Sequence, residues 1–325
     1  MIDQALRSYQ NAWNMYVKNK SAKKPHRHTQ TNFGSFQVPN RYPKRNLQNQ
    51  SPNLYNGNIR FLDCTHLMIS LIGRIRVAGS QKRLMSRNDI RIGTVTITKD
   101  STNRFYISLQ LASSVPFVKT SPANSRIGID LNINNFFTTS DNQVVKNPRF
   151  YEIDRKKIQR EQHILSRRCQ STSSDNSMHS VSSNYQKQRT KINNLFRKVA
   201  NRRKNFLHKV SKVLIEQNEL IAVENLRCKN MLHGSSLSFF ITDAGWKMFI
   251  IMLEYKAKMY NRRLVMVNPQ NTTQTYHICG FVLKGNNKLT LSQRFWSCPN
   301  CNAHHSRDLN AAKNILQKAL STATN

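Results

Sequence analysis

The chain has 325 residues, with 51 Lys and Arg against 16 Asp and Glu, a formal net charge of +35 and 38% hydrophobic residues. An excess of this size repels itself and is relieved by a polyanion, so DNA or RNA is the expected partner and a small-molecule substrate is not. No apolar run is long enough to span a bilayer, and the opening Met1-Ile2-Asp3-Gln4-Ala5-Leu6-Arg7 lacks the apolar stretch of a signal peptide. The expectation is a cytoplasmic, nucleoid-associated protein without a membrane partner. Ribosomal and other RNA-scaffolding proteins share this composition, so charge alone does not imply catalysis. Six cysteines are too few for a disulfide framework at this length, and Cys64, Cys169 and Cys228 read as bystander thiols.

In chain order, residues 1–20 predict a helix, with Leu6, Tyr9, Trp13 and Tyr16 at helical spacing. Residues 21–58 are polar and basic, carry four prolines, and predict little regular structure. Residues 59–118 read as β-rich: strands over 67–72 and 73–77, then a hairpin of 93–98 and 105–111 across a 99–104 turn, together a small β-barrel or sheet domain. A second strand system follows at 126–131, 135–139 and 143–145. Residues 151–168 predict a very basic helix and 169–184 a Ser- and Asn-rich loop. The longest helix is expected over 186–217, apolar on one face and basic on the other. Lys156, Lys157, Arg167 and Arg168 on the first of these helices, and Arg197, Arg202, Arg203 and Lys204 on the second, are the candidate phosphate contacts. The run 202–204 has no acidic i,i+4 partner to balance it. An apolar strand at 220–224, a helix over 243–262, a strand at 263–267 and a C-terminal helix from about 307 complete an α+β chain of several domains.

Three of the sixteen acids sit where an acid is costly. Asp130 lies inside an apolar strand, Glu224 ends another, and Asp308 opens a helix with Ala311 and Ala312 one turn on. Taken singly, each has an ordinary explanation: a strand end, an arginine partner, a helix N-terminal acid. Taken together, carboxylates at strand ends and on a helix can converge on one point. There they would repel unless a hard divalent cation, Mg²⁺ or Mn²⁺, joined them. Two such ions can serve phosphodiester hydrolysis. Near the C-terminus, Cys279 is followed after eighteen residues by Cys298-Pro299-Asn300-Cys301. Two cysteine pairs at that separation would make a zinc ribbon, but the position three before Cys279 is Tyr276. Zn²⁺ held by Cys279, Cys298 and Cys301, with His277 or His304 as fourth ligand, is the expectation. A ribbon that keeps its shape without the ion is the other reading.

These segments resemble the TnpB family of insertion-sequence proteins. Arg126-Ile127-Gly128-Ile129-Asp130-Leu131-Asn132 is similar to the family's first RuvC motif, with Asn132 where glycine is more usual. Ile221-Ala222-Val223-Glu224-Asn225-Leu226 resembles the second, and Asp308-Leu309-Asn310-Ala311-Ala312-Lys313-Asn314-Ile315 the third. Asp243-Ala244-Gly245-Trp246 and the stretch from Asn268-Pro269 to Thr275 match between them. The resemblance covers about two hundred residues. It implies an RNase H-like (RuvC) mixed sheet with helices over 123–325, a zinc-ribbon-like insertion at 271–305, a wedge-type β domain over 21–122 and a remnant recognition helix at 1–20. It further implies an RNA-guided DNA endonuclease with guide RNA and target DNA as partners and Asp130, Glu224 and Asp308 as catalytic residues. The family is related to type V CRISPR effectors and has also been described as a transposase accessory. Family members usually begin with a β-strand and a longer recognition segment, so the resemblance implies a shortened N-terminus and weak or absent cutting. A non-cleaving nucleic-acid-binding relative is the alternative, and a strand-joining transposase fits the motif order less well.

Overall fold

The computed structural model describes residues 2–19, 21–25, 34–42, 51–79, 81–118, 120–169, 182–226, 238–285, 288–290 and 293–323. Contacts divide the chain into two units, residues 1–117 and 118–325, each with its own core. The architecture is mixed α+β, and among the described residues no helix is long and apolar enough to cross a membrane.

The first unit opens with α1 (Ile2–Lys18), along which Tyr9, Trp13 and Tyr16 form an edge-to-face ladder with ring separations of 6.2 and 5.7 Å. Its strands are β1 (Ser35–Pro39), β2 (Ile59–Asp63), β3 (His66–Ile69), β4 (Gly73–Arg76), β5 (Ile90–Lys99) and β6 (Phe105–Ser113), with a short α2 (Lys82–Met85) before β5. They form two antiparallel three-stranded sheets, ordered β1-β5-β6 and β2-β3-β4. Alternation builds the core: Ile90, Ile92, Val95 and Ile97 of β5 are buried, with a bulge between Ile92 and Val95 that keeps them on one face. They meet Val38, Ile59, Phe61, Leu67 and Ile69. The expected hairpin turn is tied by Asp100, whose carboxylate accepts from the backbone N–H of Thr102 and Arg104.

The 21–58 stretch differs from expectation, because β1 forms there by pairing along β5 from Ser35↔Thr98 to Pro39↔Thr94. A strand with one buried side chain, Val38, leaves no periodic signal, and its order comes from its neighbour. Strand β2 lies within the expected β-rich stretch, where the pattern does not single it out. Residues 43–50 lie outside the described residues.

The second unit contains β7 (Ser125–Leu131), β8 (Asn135–Thr139), β9 (Val144–Lys146), α3 (Phe150–Cys169), α4 (Ser183–Gln217), β10 (Asn218–Glu224), α5 (Ser238–Ala244), α6 (Trp246–Tyr260), β11 (Arg263–Val267), β12 (Phe295–Ser297), β13 (His304–Ser306) and α7 (Arg307–Ala323). Five strands make a mixed sheet ordered β11-β10-β7-β8-β9, parallel from β11 to β7 and antiparallel beyond. The expected loop at 169–184 falls mostly on residues 170–181, outside the described residues. The expected helix over 243–262 is instead two. Gly245 adopts a left-handed φ of 71°, a conformation glycine reaches without strain, and it separates α5 from α6.

Period two decides what each face of this sheet carries. On β7, Ile127, Ile129 and Leu131 join the core formed with α4 and α6, as do Ile221 and Val223 of β10. The alternate residues Leu220 and Ala222 pack instead with Ile315 and Ala319 of α7. Gly128 belongs to this second face: a methyl group there would press into the Ala312 carbonyl and lie 2.8 Å from the Leu316 nitrogen. Helix α7 therefore lies directly on the backbone of β7, which only a residue without Cβ permits.

Candidate functional site

The same alternation puts Asp130 and Glu224 on the α7 face. Parallel pairing of β7 with β10 runs to Ile129↔Val223, so the two acids are level one residue further, at the carboxyl ends of adjacent strands. Asp308 stands in the first turn of α7, on the helix laid over β7. The three acids are near enough to act on one another's charge, but their oxygens do not all lie within 4.8 Å of one another. Burial, then the charges of Glu224 and Asp308, push the Asp130 carboxyl well above its ordinary 3.8, against the pull of Arg307 and Arg294. Asp130 is 9% exposed, and no donor among the described residues hydrogen-bonds its carboxylate. Glu224 is also pushed up by burial, opposed by a hydrogen bond from Thr272 and by the charge of Lys318.

Four neighbours that sequence reading does not assign complete this cluster. The Thr272 hydroxyl, itself buried, donates a short hydrogen bond to Glu224 across 48 residues. The Asn132 side-chain amide lies 3.4 Å from Asp308 Oδ2 and from Thr138 Oγ1, while its carbonyl accepts from the Asn135 N–H at 2.8 Å. Arg294 and Arg307 each approach Asp308 Oδ1 at 3.5 Å. Asn132 and Thr272 lie in the motifs quoted above, yet nothing local says what they touch. Arg294 carries no sequence signal beyond its charge.

The cysteine cluster forms a separate centre. The sulfur atoms of Cys279, Cys298 and Cys301 all lie within 4.8 Å of one another, with Cys279 Sγ 3.5 Å from Cys298 Sγ. They are the only such trio of His, Cys, Asp or Glu among the described residues. Neither histidine expected as fourth ligand joins them. His277 is turned to α7, where its backbone N–H and its Nδ1 both lie 3.0 Å from Asn310 Oδ1. His304 stacks on Phe295 and meets Ser297 Oγ at 3.2 Å. Both rings are held by these partners, and neither belongs to the group of ligand atoms within 4.8 Å. Beside the cluster, Asn310 Nδ2 donates to the Thr275 carbonyl and Asn314 Nδ2 to those of Thr272 and Thr275. Helix α7 thus carries Asp308 and also pins the loop that holds Glu224.

The candidate phosphate contacts divide. Lys156, Lys157, Arg167 and Lys204 are exposed. Arg203 is instead engaged inside the unit, 2.6 Å from buried Asp243, which also accepts from the Tyr151 N–H. Arg202 pairs with Asp154 at 3.0 Å and lies over the Phe150 ring. The missing i,i+4 acids are supplied by α3 and α5, so Arg202 and Arg203, expected as phosphate contacts, are each paired with an acid within the unit. Arg168 donates to the Asn184 carbonyl, and Arg197 to Asn194 Oδ1.

Comparison with known proteins adds a family. The IS605 OrfB family model, described as a probable transposase, matches residues 101–234, and the Cas12f1-like TNB domain model matches residues 246–315. A Streptomyces pristinaespiralis protein named as an RNA-guided DNA endonuclease is 32% identical over 231 residues, 71% of this chain and 54% of the relative. The Escherichia coli protein InsQ, similarly named, is 30% identical over 240 residues, 69% of this chain and 56% of the relative. A TnpB-like protein of Acanthamoeba polyphaga mimivirus is 27% identical over 246 residues, 70% of this chain and 43% of the relative. The chain belongs to the TnpB family. It spans about half the length of the curated relatives it matches. Both matched regions include residues of the candidate site: Asp130 and Glu224 fall in the first, Thr272 and Asp308 in the second.

Proposed function

We propose that this chain is an RNA-guided DNA endonuclease in which residues 123–325 form an RNase H-like RuvC domain, with Asp130, Glu224 and Asp308 as its catalytic carboxylates. One observation carries the reading: on a chain of charge +35, Asp130 and Glu224 stand level at the ends of adjacent strands and Asp308 opens the helix laid over them, although the three carboxylates do not all lie within 4.8 Å of one another. Relatives named as RNA-guided DNA endonucleases supply the substrate class and the partners, guide RNA and target DNA.

The donor set suits Mg²⁺ or Mn²⁺. It is all hard oxygen, and Asp130 is a buried carboxyl with no hydrogen-bond donor among the described residues. Held by Asp130, Glu224 and Asp308, such ions would supply Lewis-acid chemistry, activating a water for attack on phosphorus and stabilising the oxygen that leaves as the new P–O bond forms. The chain's own residues prepare that site. Thr272 fixes the Glu224 carboxylate and Asn132 that of Asp308, which sets their aim. Burial and the charges of Glu224 and Asp308 raise the Asp130 carboxyl well above its ordinary 3.8, a cost that a bound cation would offset. Arg294 faces Asp308 from the segment entering β12 and presents a guanidinium where an anionic phosphate would approach. Lys156, Lys157, Arg167 and Lys204 neutralise backbone phosphates on α3 and α4. Residues 21–122 would serve as the wedge-type domain, with residues 1–20 as part of the recognition segment.

The test is to express the chain with its flanking DNA, sequence the RNA that copurifies, and present a plasmid carrying the matching target in Mg²⁺. Weak guided cleavage is expected. Asp130→Ala, Glu224→Ala and Asp308→Ala should each abolish it while retaining the RNA. A chain that retains RNA yet never cuts in Mg²⁺ or Mn²⁺ would be a binding protein, and cleavage surviving in Asp130→Ala would end the carboxylate assignment.

A further inference from the structure

The cysteine cluster is built from two turns with the same backbone. In one, the Cys298 N–H donates to Ala303 O at 2.9 Å and the Asn302 N–H to Cys298 O at 2.8 Å. In the other, the Tyr276 N–H donates to Phe281 O at 2.8 Å and the Gly280 N–H to Tyr276 O at 2.9 Å. The residue closing each turn has a left-handed φ, 55° at Asn302 and 70° at Gly280. When the turns are matched in this way, Cys279 corresponds to Cys301, and Tyr276 to Cys298. Tyr276 therefore holds the position from which a fourth thiolate would complete a tetrahedral site.

A tyrosine cannot act as a cysteine there without displacing something, because its ring is far larger than one sulfur. The ring is only 1% exposed and ranks among the largest fully buried side chains among the described residues. It packs at 4.2 Å on His305 and 5.9 Å on Trp296, and with Leu283 and Cys298 it forms a small core of its own. Further fasteners need no ion. Gln274 exchanges hydrogen bonds with the backbone of Leu289, Arg307 reaches the Thr290 carbonyl, and β12 pairs with β13. Asn310 and Asn314 anchor the approach from α7.

We propose that Tyr276 replaces the fourth zinc ligand and that the ribbon of residues 271–305 keeps its shape through this packing, without requiring zinc. Structural zinc sites ordinarily couple metal binding to folding, so a ribbon released from that coupling behaves differently under chelation. The inference stands apart from the nuclease reading, because it concerns folding and metal content alone.

The experiment uses the full chain, purified in zinc and dialysed, with three readouts: zinc per chain, hydrogen exchange of the turn amides of Gly280 and Asn302 with and without chelator, and the cobalt spectrum. The wild-type chain is expected to keep well under one zinc and to show the same amide protection in chelator. Tyr276→Cys should take up one zinc, give the charge-transfer bands of a four-thiolate cobalt site, and lose turn protection when stripped. Tyr276→Phe keeps the ring without the hydroxyl and should match wild type in all three. Stoichiometric zinc in the wild type, with turn protection lost on chelation, would overturn the proposal. So would zinc present in wild type but absent from Tyr276→Phe, which would make the phenol a ligand. If Tyr276→Cys does not fold, wild type and Tyr276→Phe decide the matter.

Discussion

Asp130→Asn separates the two roles of a buried carboxylate. In metal-free protein, burial together with Glu224 and Asp308 raises the Asp130 carboxyl above its ordinary 3.8. The folded state then binds a proton more tightly than the unfolded chain. Stability from this group is fully present below about 3.8 and is lost as pH rises through the folded value. Above that value the fold carries a buried charge that Arg307 and Arg294 offset only in part. Asparagine keeps the shape and removes the charge. Relief of an uncompensated buried polar group is worth about 1–3 kcal/mol. In a unit of this size each kcal/mol moves the melting temperature by about 2–4 °C. The asparagine variant should therefore melt higher than wild type in EDTA at pH 7.5, and the gain should vanish at pH 3.5, where both chains are neutral at this position. Added Mg²⁺ should raise the melting temperature of wild type and leave the variant unmoved. A variant that melts lower than wild type in EDTA, or a gain indifferent to pH, would refute the electrostatic account of the cluster.

Four further outcomes rest on particular residues. Gly128→Ala should cost about 1–3 kcal/mol of stability by overpacking and lift α7 from β7, so that cleavage falls further than melting temperature does; equal losses would mean that helix and strand do not share the site. Glu161, buried between α3 and α4, is held down to about 2 by hydrogen bonds from Gln188 and Lys191 despite its burial. Its stabilisation is present above 4.5 and lost as pH falls toward 2, so Glu161→Gln should flatten the acid limb of unfolding followed by circular dichroism. Replacing Lys156, Lys157, Arg167 and Lys204 with glutamine should weaken RNA binding and reduce the salt slope by roughly 0.7–0.9 for each phosphate left without its cation; Arg203→Ala should instead destabilise the fold, because it strands Asp243.

Legibility in the sequence depends on how far apart the interacting residues lie. Asp130 and Glu224 stand out because an acid in an apolar strand conflicts with its surroundings, and period two then fixes the face they share. Asp308 is readable from its position in the first turn of a helix with small residues behind it. Their supports are not readable. Thr272 meets Glu224 across 48 residues and Asn132 meets Asp308 across 176, so neither pairing has a local pattern. The basic run at 202–204 misleads because its balancing acids do not lie one turn away; Asp154 and Asp243 reach in from other helices. Strand β1 escapes notice because it has one buried position and takes its order from pairing with β5.

The helix seated on Gly128 also sets an order of assembly. Asn132 and Asp308 are separated by 176 residues, which a ribosome adding about 5–20 residues per second takes roughly 10–35 s to produce. For the first half of that interval β7 lacks its parallel neighbour β10, and throughout it lacks the helix that covers its second face. The basic helices α3 and α4 emerge well before α7 does. On the proposed reading a nascent chain can therefore engage RNA before it possesses a complete set of carboxylates, and cutting competence arrives only with the closing helix.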